Sequence, residues 1–142
     1  MTNPIQERES ELVDEFSLFD NWMDRYQYLI DLGRALPDYP ADERNDADKV
    51  AGCQSQVWFQ ASGDAGQLSF RAISDATIVS GLIAVLLRLY DQQSASSIVD
   101  YPATFIEKLG LDKHLSQSRA NGLHAMLQRI RAIAAFHLGD DC

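Results

Sequence analysis

The chain has 142 residues, of which 46% are hydrophobic, and only 8 Gly and 4 Pro interrupt them. This composition fits one globular domain over residues 1–142 and excludes wholesale disorder and collagen-like repeats. The formal charge is −9, and the first fifty residues carry 13 acids against 5 bases. Phosphate backbones and anionic membranes demand clustered Lys and Arg, so neither nucleic acid nor a membrane surface is an expected partner. No apolar run reaches the roughly 18 residues a bilayer needs. The first residues, Met1 to Glu9, lack the basic and apolar regions of a signal peptide, so the expected location is cytoplasmic. Cys53 and Cys142 form no C-x-x-C, so neither a redox dithiol nor a cysteine zinc knuckle is available within one chain.

Residues 1–15 read as an acidic N-terminal segment that can form a short helix over 5–15, held by Ile5, Leu12, Val13 and Phe16. A firmer helix runs from about Asn21 to Ala35, with Asp20 as its N-cap. Trp22, Tyr26, Leu29, Ile30 and Gly33 share one face of it. The polar segment 37–46 reads as a surface loop. Val57-Trp58-Phe59, turn chemistry over Ser62–Gly66, and alternating Leu68, Phe70 and Ala72 predict a hairpin. A short strand near Lys49–Gly52 would make the sheet three-stranded. Ser74-Asp75 are placed to cap an apolar helix from Ala76 to Tyr90. Ser94 starts a short turn, Pro102 and Gly110 bracket a helix through Leu109, and Ser116 opens the final helix. On that last helix Leu123, Met126, Leu127, Ile130, Ile133, Ala134 and His137 recur at helical spacing, and residues 138–142 are expected to be a mobile tail. The expected fold class is α+β: a small three-stranded antiparallel sheet flanked by helices.

Cys53 is the first candidate for chemistry. It follows Gly52, which permits a sharp turn, and precedes the polar run Gln54-Ser55-Gln56. A thiol on such a loop suits nucleophilic attack on sulfur or an acyl centre, although a small buried hydrophobe is the alternative reading. The histidines, His114, His124 and His137, lie in the C-terminal part, where no local signature marks a general base. His124 and His137 are thirteen residues apart on one helix, too far for a shared metal. Asp75 suits a helix N-terminus, whereas Arg119 stands in a first turn, where the helix dipole disfavours a cation; it reads first as a solvated surface arginine, and an anionic partner or carboxylate is the alternative reading. Trp22 and Trp58 read as core or half-buried aromatics. No phosphate-binding glycine motif is present, so no nucleotide cofactor is indicated.

These residues resemble the SufE family of sulfur-acceptor proteins. The resemblance runs from Trp22, Arg25-Tyr26 and Tyr28-Leu29-Ile30 to Gly33 and Leu36-Pro37. It continues through Val50 and Gly52-Cys53-Gln54-Ser55-Gln56-Val57-Trp58, then Ser74-Asp75-Ala76 and Ile78-Val79 to Val85, and ends at Ser118-Arg119 and Gly122-Leu123. It covers essentially the whole chain beyond about residue 16 and fits the SufE branch better than the paralogous CsdE branch. The resemblance implies a fold shared with IscU-type scaffolds. It implies that Cys53 takes persulfide sulfur from a SufS-type cysteine desulfurase, stimulates that enzyme, and passes sulfur to the SufBCD scaffold for iron–sulfur cluster assembly. The pyridoxal phosphate then resides on the desulfurase and the chain itself needs no cofactor or metal. It further implies Gly52 as a loop hinge, and Gln54, Asp75 and Arg119 as loop-holding or partner-docking residues. Cys142 falls outside the family pattern. A monomer or weak homodimer is expected. An IscU-like cluster scaffold and a non-catalytic interaction domain are the alternative readings.

Overall fold

The computed structural model describes residues 3–50 and 56–139. In chain order these form α1 (Pro4–Phe16), α2 (Trp22–Arg34), two 3-10 turns (Ala41–Glu43 and Asp46–Asp48), β1 (Val57–Asp64), β2 (Gln67–Ser74), α3 (Thr77–Tyr90), α4 (Ala95–Asp100), α5 (Phe105–Lys108), α6 (Leu111–His114) and α7 (Gln117–Gly139).

Within the acidic N-terminal segment, Pro4–Phe16 form a helix capped by Asn3. Ile5, Glu9, Leu12 and Phe16 recur at spacings of 4, 3 and 4 and are all buried. Glu9 enters the core because the Tyr101 hydroxyl donates to it at 2.9 Å, Thr104 donates to the same oxygen, and Lys108 Nζ approaches the other at 3.4 Å. A buried carboxylate is tolerated only with such partners. In α2 the capping residue is Asn21 rather than Asp20: its extended backbone lets Oδ1 accept from the Asp24 amide at 2.9 Å.

β1 and β2 pair antiparallel from Val57↔Ser74 to Asp64↔Gln67. Asp64 Oδ1 accepts from the amides of Gly66 and Gln67 and closes the turn. The sheet is two-stranded among the described residues, not three-stranded. The segment ahead of β1 contributes a single bridge, Lys49↔Trp58, because a 3-10 turn ends immediately before it at Asp48. The opposite edge is met by another single bridge, Leu68↔Gln93.

α3 is buried on most of its circumference, as its apolar run predicts. It crosses α2 with backbone against backbone. A Cβ on Gly33 would stand 2.6 Å from the Gly81 nitrogen, and one on Gly81 would stand 2.3 Å from the Leu29 carbonyl oxygen. The helix expected between Pro102 and Gly110 is shortened to α5, since Ala103 takes a positive φ of 57° and Thr104 precedes the first helical residue. Gly110, at φ 75°, turns the chain into α6. On α7, Leu123, Met126, Leu127, Ile130 and Ala134 face the core and Ile133 packs against its edge.

Candidate functional site

Gly52, Cys53 and Gln54 lie outside the described residues. Their flanks, Val50 and Gln56, are described and locate where that segment leaves and rejoins the fold. The Val50 amide donates to the Val57 carbonyl at 3.0 Å, so both flanks meet at the start of β1.

Downstream, Gln56 is clamped by the end of β2. Its amide donates to Asp75 Oδ1 at 3.0 Å. Its carbonyl accepts from Ser74 Oγ at 2.8 Å and from the Asp75 amide at 3.3 Å. The sequence expectation that Ser74-Asp75 cap the next helix is corrected in part. Ser74 Oγ does accept from the Ala76 amide at 3.1 Å, but the Asp75 carboxylate turns to Gln56, and the N-cap position, Ala76, has no side-chain cap. A carboxylate accepting from a backbone amide is a stronger restraint than a neutral acceptor. Asp75 therefore holds Gln56, the first described residue after the Cys53 segment.

Upstream, Arg129 of α7 donates from Nη1 to the Lys49 carbonyl at 3.1 Å. Trp58, 8% exposed, takes the Arg44 guanidinium 5.6 Å and the Lys49 ammonium 5.9 Å from its ring centroid. Its indole N–H is buried with no partner among the described residues. The loop 37–46 is tied down as well: Tyr39 is buried, Arg71 lies 4.5 Å from its ring centroid, and Glu43 pairs with Arg71 at 2.8 Å. Next to the Asp75 clamp a polar cleft of about 250 Å³ opens between the end of α2 and the start of α3, lined by Arg34, Ser74, Asp75, Thr77 and Ser80.

Arg119 is exposed in the first turn of α7; its amide donates to Ser116 Oγ at 3.4 Å, and its side chain has no partner among the described residues. Among the described residues it makes no ion pair with Asp75. Trp22 is half-buried and stacks on His114 at 4.1 Å between centroids. Among the described residues no three His, Cys, Asp or Glu side chains gather as metal ligands, and no helix is long and apolar enough to cross a membrane.

Gln56, Ser74 and Arg129 were not legible as site residues. Each pairing joins a side chain to a backbone group 18, 19 or 80 residues away, and no local motif encodes such pairings.

An uncharacterised SufE-like protein of Rhizobium meliloti is 45% identical over 129 residues, covering 87% of this chain and 92% of that one. A second, from Rhizobium etli, is 44% identical over 126 residues, covering 85% of each. The solution structure of a hypothetical protein from Thermus thermophilus shares the fold, with a TM-score of 0.76 at 20% identity over 98% of this chain and 99% of that one. The model of the SufE family, described as an Fe-S metabolism associated domain, matches residues 10–134. On that match and those identities, this chain belongs to the SufE family.

Proposed function

We propose that the protein is a sulfur carrier in iron–sulfur cluster assembly, with Cys53 as the acceptor. The observation that carries this is family membership across residues 10–134 together with the Gly52-Cys53-Gln54-Ser55-Gln56-Val57-Trp58 string. The two clamped flanks support it, because Lys49 and Gln56 are fixed on either side of the segment that carries Cys53.

The reaction is a persulfide exchange. The Cys53 thiolate attacks the outer sulfur of a persulfide on a SufS-type cysteine desulfurase. A new bond forms between Cys53 Sγ and that sulfur, the old sulfur–sulfur bond breaks, and the enzyme's cysteine leaves as thiolate. No net oxidation occurs, so no oxidant is needed. Pyridoxal phosphate on the desulfurase liberates the sulfur, and this chain needs no cofactor of its own. SufBCD is the receiving scaffold, Gly52 the hinge, and Gln54, Asp75 and Arg119 hold or dock the segment. The setting is the cytoplasm, and the carrier acts as a monomer or weak homodimer.

The test is mass spectrometry after incubation with the desulfurase and free cysteine. The Cys53 peptide should gain one sulfur, and Cys53→Ser should gain none while melting like the parent. A Cys53→Ser protein that still stimulates the desulfurase fully would refute the carrier role. Iron-dependent absorbance on reconstitution would favour a cluster scaffold instead.

A further inference from the structure

The turn between α1 and α2 leaves two large apolar side chains in solvent. Leu18 is 79% exposed and Met23 81%, more than any other large hydrophobic residue described. They flank a turn that is held in shape from inside: Arg25 Nε donates to the Phe19 carbonyl at 3.1 Å, and Phe19 packs on Tyr28 at 5.1 Å between centroids. The pair is thus presented by a braced corner.

The charge around this corner specifies what can cover it. The solvent face of α1 carries Glu7, Glu11 and Asp14 at spacings of 4 and 3, and the next step of 4 reaches Leu18. All three acids are exposed. Glu7 and Asp14 have no partner among the described residues, and Glu11 has only a 3.8 Å contact with Arg88. The nearby cations are turned inward. Arg8 donates to the carbonyls of Arg88 and Asp91, Arg25 to that of Phe19, and Arg88 is held by Glu15. The stripe's negative charge is therefore left for another molecule.

We infer that the α1 face and the Leu18–Met23 corner form a docking surface for a basic protein segment that carries an apolar anchor. A second copy of this chain fits poorly, because it would bring like stripes together on a protein of charge −9. The corner lies at the first turn of α2, while Arg34 at its last residue lines the cleft beside Asp75. Thirteen helical residues span about 20 Å, so the surface is separate from the Cys53 flanks. A partner can hold it while the cysteine segment stays free to react.

The inference rests on the sulfur-transfer reading only for the choice of proteins tested, the cysteine desulfurase and the SufBCD complex. Binding of the full chain to each is measured by calorimetry at low and high salt. Leu18→Ser/Met23→Ser and, separately, Glu7→Gln/Glu11→Gln/Asp14→Gln should each weaken binding to one of these proteins about tenfold. The triple variant should also flatten the salt dependence. Alkylation of Cys53 should keep the parent's rate in both. Unchanged affinity for both proteins overturns the inference, as does a salt-independent loss confined to the apolar variant. A parent dimer dissolved by Leu18→Ser/Met23→Ser in sedimentation overturns it too, since a second copy is then the occupant. Sulfur uptake at saturating desulfurase is read separately. Its absence refutes the carrier role without touching the docking surface.

Discussion

Asp75 is exposed, yet its carboxylate is committed to one backbone amide, that of Gln56. The bond is local in energy and specific in place: it holds the first described residue after the Cys53 segment. Asp75→Ala removes the acceptor and should lower stability by about 0.5–1.5 kcal/mol. It should also raise the alkylation rate of Cys53, because one clamp on the segment is gone. Asp75→Asn keeps a carbonyl oxygen in place and should restore most of both. Equal alkylation in the parent, Ala and Asn proteins would show that the clamp does not reach the thiol. Cys142 is a different case. It follows Asp140 and Asp141 and lies outside the described residues. Cys142→Ala should leave persulfide uptake at the parent rate in a single-turnover assay, and a measured loss would reveal a relay between the two cysteines.

Between elements, α2 and α3 cross with backbone against backbone. Glycine inside a helix costs about 1 kcal/mol relative to alanine, so two of them facing each other need a reason. The reason is backbone contact, with the Leu29 carbonyl oxygen where a Gly81 Cβ would sit. Neither helix can yield by rotating a side chain. Gly81→Ala should therefore destabilise by about 1–3 kcal/mol in denaturant unfolding, despite its better helix propensity. A smaller cost would mean that the helices separate easily. α1 joins this pair through Glu15, which accepts from Arg88 of α3 at 2.7 Å and from the Tyr28 hydroxyl of α2. One carboxylate so ties three helices. The Arg88 guanidinium holds it below the usual carboxylate range against the opposing effect of partial burial, and the Tyr28 hydroxyl adds to the same shift.

The whole molecule inherits a pH profile from these groups. A carboxylate whose folded-state pKa is lowered adds stability above its ordinary value of about 4.5 and loses it as pH falls through the folded value. Glu15→Gln should cost about 1–2 kcal/mol at neutral pH, the pair being partly exposed, and should flatten the acid limb of a plot of Tm against pH. An acid limb unchanged in the variant would place the titrating group elsewhere. Burial raises Tyr90 and Tyr101 instead, so the stability they add is present below about pH 10 and is lost as pH rises beyond it. Much of this architecture was readable along the chain. The apolar run of α3, the packed face of α2 and the hairpin all rest on spacing and local composition, and each stands as read, because period and turn chemistry are local properties; the cysteine motif lies outside the described residues. The three-stranded sheet, the Asp20 cap and the Asp75 cap were not upheld, since each depended on which of several neighbouring donors and acceptors the packed chain would bring together. Glu9 shows why most sharply. Its sequence position reads as solvated acid, and only folding delivers Tyr101, Thr104 and Lys108 from 92 to 99 residues away to make its burial tolerable.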